Sequence, residues 1–339
     1  MWKPESADPA PVGAALASQD VETPTAPPTD APTALPLVIL NPAANRGRAA
    51  RLRAQLERAL RDGRGELALT SASGDCARLA QQAALAGRGV VVVGGDGTIH
   101  EAAGALIAAN AARGVQAGDG TPLGIVPAGS GNDYAWRALR LPHDVTHALD
   151  LALTGAPVAV DVGIVNGRVF VNALGVGLDA NIAATAERYK RIPLLSGQAL
   201  YWAASLGELL LRYNRCPELN VSLDGEPLER RLYALADLSI GPTYGGGFAI
   251  NPDASLTDGL FNLCVIWKPS LSRALRLLPK IERGQHLAEP EVQRRLVRHV
   301  VMEAAQPISA HLDGEVISGS RFEARIQPGA LLVRGARPV

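Results

Sequence analysis

The sequence predicts an α/β domain with a parallel sheet, followed by a second domain that is mainly an antiparallel β-sandwich. Three observations carry this. Short apolar strands alternate with helical patterns up to about residue 155, the βαβα signature of a parallel sheet covered by helices. The run Val90–Val93 is β-branched without interruption, as expected of a strand buried on both faces. From Pro157 onward strands alternate in period two, with hairpin signals at Asn166-Gly167, Asp224-Gly225 and Asp313-Gly314.

The elements follow in order. Residues 1–34 hold seven of the chain's prolines within the first 32 positions and no hydrophobic period, so they are expected to be a disordered tail. They lack the basic-then-apolar order of a signal peptide. Residues 35–155 form the expected first domain. Leu37–Leu40 reads as a strand, Asn41–Gly47 as a turn and Arg48 onward as a helix. A short strand near Leu67–Thr70 and the helix of GDCARLAQQAALAG come next. Val90–Val93 then leaves its strand through Gly94-Gly95-Asp96-Gly97, and a helix is expected after Thr98. The strand LGIVP, the polar turn AGSGND and the helix of DVTHALDLALTG complete the unit. Residues 156–339 form the second domain, with helices expected only near Ser196–Leu211 and Leu271–Arg283.

Composition narrows the function. The 339 residues are 47% hydrophobic with zero formal net charge, so bulk electrostatics give no reason to expect nucleic acid as a partner. Three widely spaced cysteines without a CxxC pair suggest free thiols in a reducing, cytoplasmic compartment. No run reaches ~18 apolar residues, so no spanning helix is expected.

Four turns follow strands in the first domain: Asn41–Arg48, the turn after Thr70, GGDGT and PAGSGND. In an open parallel sheet they fall on one edge and close around one ligand. The glycines admit close backbone approach, and the helix after GGDGT offers amide groups to an anion. Asp96 would repel a bare phosphate, so it calls for a divalent cation between them or a hydroxyl to orient. No lysine occurs between Lys3 and Lys190, which excludes a P-loop or protein-kinase layout. A triphosphate would therefore depend on backbone amides, Arg46 or Arg48, and Mg²⁺ near Asp96. In the second domain LGVGLDANI, YGGGFAINPDASLTDGL and HLDGEVI stand out. Taken alone, LDGEV also reads as a plain hairpin turn with a solvated Glu315.

With these segments in this order, from about residue 37 to the C-terminus, the chain resembles the diacylglycerol kinase catalytic-domain family, near the soluble bacterial lipid kinases. The resemblance implies transfer of the γ-phosphoryl of ATP to a lipid hydroxyl in a cleft between the two domains. It implies ATP contacts at Asn41, Pro42, Ala43, Ala44 and Asn45, with Arg46 beside them. Thr70, Gly95, Asp96, Gly97, Thr98, Ile99, His100, Glu101 and Ser130 complete that set. Glu315 would accept the proton, with Asp313 and Asp96 in the surrounding magnesium and hydrogen-bond network; Asp96 is the rival base. A structural Mg²⁺ would bind around Asp258, with the backbones of Ser255 and Leu260 as ligands. Three positions depart from the family pattern: Asn45 stands where glycine is common, Ser130 replaces threonine, and His100 replaces asparagine. The acceptor stays open among diacylglycerol, sphingosine, ceramide and phosphatidylglycerol.

A lipid acceptor implies a membrane surface as partner and peripheral attachment during catalysis. The expected docking segment is Glu187–Tyr213, with Arg188, Lys190 and Arg191 beside Ile192, Leu194 and Leu195, then Tyr201 and Trp202 on an apolar helix. Packing of that helix on the β domain is the alternative. The oligomeric state is open, with a homodimer as the expectation. The alternatives to a lipid kinase are an NAD kinase-like enzyme, which shares the GGDGT turn, and a catalytically silent lipid or nucleotide sensor.

Overall fold

Three fully buried strands and one partly exposed edge strand build the first half, and the side-chain alternation of the buried strands explains the layers. The computed structural model describes residues 34–192, 195 and 197–339; the expected tail, apart from Ala34, lies outside the described residues. The elements are β1 (Leu37–Leu40), α1 (Arg53–Ala59), β2 (Glu66–Leu69), α2 (Asp75–Leu85), β3 (Val90–Gly94), α3 (Asp96–Ala112), β4 (Leu123–Pro127) and α4 (Val145–Thr154). The strands pair in parallel in the order β4-β3-β1-β2. Leu37, Ile39, Val90 and Val92 face the alanine-rich sides of α2 and α3. Val38, Leu40, Val91 and Val93 face Leu56 of α1 and Ala148 and Leu149 of α4. A strand whose odd and even residues both meet helices has no solvated face, hence the unbroken valine run.

The second half contains β5 (Pro157–Val165), β6 (Arg168–Phe170), β7 (Ala173–Gly177), α5 (Leu178–Tyr189), α6 (Gly197–Arg212), β8 (Glu218–Leu223) and β9 (Glu226–Ser239). It continues with β10 (Phe261–Trp267), α7 (Leu271–Glu282), β11 (Val292–Val297), β12 (His299–Leu312) and β13 (Glu315–Arg334). β7 and β8 lie in line between β9 and β12, each filling half of the gap. The strands form one hydrogen-bonded path that curls over itself, so that Phe170 of β6 stacks on Phe261 of β10 at 5.6 Å. The two layers of this half are therefore folds of one sheet.

Several boundaries differ from the sequence reading. α3 begins at Asp96, two residues before Thr98, because Gly95 in extended conformation starts the helix and leaves the Gly97 amide in its first turn. The segment from Arg48 opens as a 3-10 turn (Arg48–Leu52) before becoming α1. The boundary at 155/156 is a change of texture and not a gap. β13 pairs antiparallel with β5 and then parallel with β4 through Val333 and Leu123, so residues Ala34–Val339 are one compact unit. Among the described residues no helix is long and apolar enough to cross a membrane.

Candidate active site

The strand ends of β1, β3 and β4 bring three turns together. Asn41 accepts the Ala43 amide on Oδ1 at 3.1 Å and donates from Nδ2 to the Thr98 hydroxyl at 3.0 Å. One asparagine thus ties the first turn to the start of α3. Asn45, Arg46 and Gly47 are all left-handed (φ 51°, 54° and 79°). Asparagine accepts that conformation more readily than most side chains, which is how Asn45 serves where a glycine is common. The GGDGT and PAGSGND turns meet backbone to backbone: a Cβ on Gly129 would lie 2.5 Å from the Gly95 Cα. Asn132 holds that turn by accepting the Gly129 amide at 2.8 Å and donating back to its carbonyl at 3.0 Å. At Gly97 the reverse holds, since a Cβ there would meet nothing within 4 Å. That glycine faces open cleft.

Asp96 accepts the amides of Asp133 (3.3 Å) and Tyr134 (3.2 Å). Asp133, which the sequence reading left without a role, is buried, ion-paired to Arg137, and accepts the Gly246 amide at 2.7 Å. A Cβ built on Gly131 would lie 3.4 Å from Asp96 Oδ2 and 3.8 Å from Asp133 Oδ2, so the two carboxylates face one small volume. Burial, with the Asp133 charge adding to it, pushes the Asp96 carboxyl up to about 7. Two carboxylates facing one volume, only one of them paired to a cation, offer the hard oxygen donors that suit a divalent cation such as Mg²⁺.

Asp313 and Gly314 (φ 50° and 93°) are the two-residue loop of the β12–β13 hairpin. The Asp313 carboxylate turns inward and accepts the amides of Val171 (2.8 Å), Asn172 (2.9 Å) and Ala173 (2.9 Å), and it bonds His100 Nδ1 at 2.7 Å. Burial opposes its ionisation, but His100 and these amides outweigh burial and hold the carboxyl below its ordinary value. Four partners occupy its acceptor positions, so the magnesium role expected of Asp313 is corrected here to a purely hydrogen-bonding one. Burial likewise disfavours the His100 imidazolium, while the Asp313 and Glu315 carboxylates more than offset it and raise the imidazole. Glu315 is half exposed; Oε1 pairs with Arg168 Nη2 at 2.6 Å, and Oε2 lies 3.6 Å from His100 Nε2.

Asn41, Asp96, His100, Asp133, Asp313 and Glu315 all line one cleft of about 1530 Å³. Asp179 also lines it, and its Oδ2 meets Tyr244 Oη and His311 Nε2, both at 2.7 Å. Gly175 makes that meeting possible, because a Cβ there would lie 2.0 Å from Asp179 Oδ2. The cleft then becomes an apolar branch lined by Leu209 of α6, Phe248, Ile266, and Leu277 and Leu278 of α7. Sequence reasoning missed Asp133, Asp179, Arg168, Tyr244, His311 and this branch. Asp133, Asp179, Tyr244 and His311 sit inside motifs already noticed; Arg168 and the apolar branch carry no local signal.

Of the expected nucleotide residues, Asn41, Ala43, Ala44, Asn45, Arg46, Gly95, Asp96, Gly97, Thr98, His100, Glu101 and Ser130 line the cleft. Three do not. The Ile99 side chain lies in the core, Pro42 stands outside the cleft, and Thr70 reaches only Asn41, at 3.5 Å. The expected magnesium site at Ser255, Asp258 and Leu260 lies away from the cleft. Asp258 Oδ1 is taken by the Leu260 amide at 2.9 Å, and Ser255 Oγ donates to the Val339 carbonyl at 3.1 Å. Neighbouring Asp161 spends both oxygens on the amides of Gly259 and Gly329. These bonds brace the turn through the Ser255 hydroxyl and the Leu260 amide and engage neither of the backbone carbonyls expected to bind the ion; among the described residues no cluster of three or more His, Cys, Asp or Glu side chains could hold a metal.

In the expected docking segment Arg188, Lys190, Arg191 and Ile192 are exposed, and only the two aromatic residues are corrected. Tyr201 lines the cleft, and Trp202 packs on Phe248 at 5.8 Å while donating to Glu282 at 3.1 Å. Apolar packing inside the protein claims both rings. The exposed face of α6 carries Leu206, Leu210 and Leu211 instead. Leu194 lies outside the described residues.

Comparison with known proteins agrees over nearly the whole described chain. Residues 36–165 match the family model for the diacylglycerol kinase catalytic domain, and residues 172–335 that for the YegS C-terminal NAD kinase beta sandwich-like domain. A protein of Pseudomonas savastanoi pv. phaseolicola named probable lipid kinase YegS-like is 35% identical over 274 residues, covering 79% of this chain and 83% of its own. The diacylglycerol kinase of Bacillus subtilis is 29% identical over 249 residues, covering 73% and 77%. The crystal structure of a diacylglycerol kinase from Bacillus anthracis str. Sterne superposes with a TM-score of 0.63 over 90% of this chain and 98% of its own. At 17% identity that likeness speaks for the fold.

Proposed function

The chain belongs to the diacylglycerol kinase catalytic-domain family, and on that premise we propose that it transfers the γ-phosphoryl of ATP to the hydroxyl of a lipid. The observation that carries this reading is the single cleft with two unlike ends. One end is lined by glycine turns, backbone amides and carboxylates, the other by aliphatic and aromatic side chains. Its 1530 Å³ exceeds the roughly 300–1,000 Å³ of a pocket for one drug-sized ligand, so two substrates fit end to end. An apolar branch suits an acyl chain and offers nothing to a dinucleotide acceptor such as NAD.

Each residue then has a task. The amides at the start of α3 and in the Gly129–Gly131 turn receive the phosphates, aided by the dipole of α3. The Asn41–Thr98 bond and the Gly95–Gly129 contact keep the two turns in register. Asp96 and Asp133 would hold Mg²⁺, which when bound supplies charge neutralisation that a lysine-free turn lacks. Asp313 and Glu315 stand where the polar end meets the apolar branch, beside the acceptor hydroxyl. A diacylglycerol acceptor would yield phosphatidic acid; a sphingoid base would yield its phosphate.

We further propose that the protein works in the cytoplasm and meets its acceptor at a bilayer. Three buried free thiols support a reducing compartment. The exposed leucines of α6 support the bilayer, because the opposite face of the same helix walls the apolar branch. Incubation with labelled ATP, Mg²⁺ and a panel of diacylglycerol, sphingosine, ceramide, phosphatidylglycerol and NAD, read by product mass, tests the reading. Transfer to one of the lipids is expected. Transfer to NAD alone, or ATP binding with no product from any acceptor, would replace it with an NAD kinase-like or a silent sensor function.

A further inference from the structure

Resemblance assigns the proton-accepting role to Glu315, but the hydrogen bonds around the hairpin turn lead elsewhere. Three of the four partners of the Asp313 carboxylate are backbone amides, which only donate. The fourth is His100 Nδ1 at 2.7 Å, so that nitrogen carries the proton and Asp313 accepts it. In a neutral imidazole the lone pair is then on Nε2. His100 and Glu315 both line the cleft, and Nε2 stands 3.6 Å from Glu315 Oε2, too far for a direct hydrogen bond and close enough for one hydroxyl beside the pair to reach both atoms. Glu315 is meanwhile engaged by Arg168.

We propose that His100 is the catalytic base of this enzyme, with Asp313 as its positioning residue and Glu315 as the group that orients the acceptor hydroxyl. The proposal rests on the lipid-kinase reading and goes beyond it, since this position is commonly asparagine in the resembled family and asparagine has no basic nitrogen. In the step, the hydroxyl oxygen forms a bond to the γ-phosphorus while the bond from that phosphorus to the β-γ bridging oxygen breaks. The electron pair leaves with ADP, and the hydroxyl proton passes to His100 Nε2. The imidazolium so formed lies between two carboxylates and returns its proton to solvent. An imidazole is suited to this task because its ordinary pKa of about 6.5 lies nearer neutral pH than the roughly 4.3 of a glutamate. The charged groups around the ring are Asp313 and Glu315 from the hairpin, Arg168 from β6, Arg78 from α2, and Glu101 on its own helix.

Two measurements decide the assignment. Long-range ¹H–¹⁵N spectra of the histidine side chains in the wild-type protein, assigned by comparison with His100→Asn, should show the His100 ring as the Nδ1–H tautomer, titrating above its ordinary value. Kinase assays on dioctanoylglycerol micelles and on the lipid panel should give kcat/KM an acid limb that follows this titration. His100→Asn, whose amide still donates to Asp313, should lower kcat about 10²–10⁴-fold and lose that limb, while Glu315→Gln keeps it. An Nε2–H tautomer would overturn the proposal without any activity measurement. So would a limb that persists in His100→Asn and vanishes in Glu315→Gln. Failure of the wild-type protein to phosphorylate any lipid would bring down the kinase reading and the base together, whereas an active wild type with the wrong limb removes only the base.

Discussion

Replacing Gly97 with alanine should separate the nucleotide site from the fold. Gly97 is exposed in the first turn of α3, has no left-handed φ, and has nothing within 4 Å of where a Cβ would stand. The free protein therefore accepts Gly97→Ala without strain. Alanine is the better helix former by up to about 1 kcal/mol, so the melting temperature should hold or rise slightly. In the complex the methyl occupies space that the backbone keeps clear for a phosphate. Overpacking by one methyl group costs about 1–3 kcal/mol in a close-fitting site. At 1.4 kcal/mol per tenfold, ATP binding should weaken by roughly 5- to 150-fold. Gly95→Ala is the contrast, because its Cβ would lie 2.9 Å from the Gly129 Cα and should lower stability as well. Calorimetric titration with Mg-ATP and a thermal melt read the two effects separately. An unchanged ATP affinity in a folded Gly97→Ala protein would refute the placement of the phosphates over this turn.

Three further outcomes are expected. The Asp96 carboxyl is raised from 3.8 to about 7 in the folded state, so the native protein holds that proton longer than the unfolded chain does. Its contribution to stability should therefore fall as pH rises from about 4 to about 7. Asp96→Asn should flatten that part of the melting profile, and Mg²⁺ should restore the wild-type loss at pH 7.5; equal slopes in both proteins would contradict the carboxylate pair. Asp313→Asn would turn an amide group toward three backbone donors and should cost on the order of 3 kcal/mol in urea unfolding, whereas a near-neutral change would deny the turn its anchoring role. Leu210→Glu with Leu211→Glu should reduce sedimentation with phosphatidylglycerol vesicles by roughly tenfold or more, since each leucine contributes up to about 2 kcal/mol when buried, and should spare a short-chain soluble acceptor. Equal loss on both substrates would assign these side chains to the fold.

What sequence could reveal about this protein follows the range of the interactions. The parallel sheet and its glycine turns were readable because they are local: a valine run buried on both faces, and turn residues at the strand ends, are written within a few positions of one another. Asp96 was singled out because a carboxylate in a phosphate cradle is anomalous by itself. Burial pushes it up to about 7, the neighbour whose charge adds to burial is Asp133, 37 residues on, and no pattern in either segment announces that the two meet over Gly131. The aromatic side chains show the same limit from the other direction. Tyr201 and Trp202 lie on a helix that is apolar on most sides, and periodicity cannot tell which face is wet. Glu282, 80 residues beyond Trp202, supplies the acceptor that turns the indole inward and leaves Leu206, Leu210 and Leu211 outside. The hairpin Asp313-Gly314 combines both cases. Its turn geometry is a two-residue local signal, whereas the use of its carboxylate depends on three amides from residues 171–173 and a histidine 213 positions earlier. An aspartate chosen for a left-handed turn is free to spend its side chain elsewhere, and here that side chain holds His100 Nδ1 at the wall of the cleft.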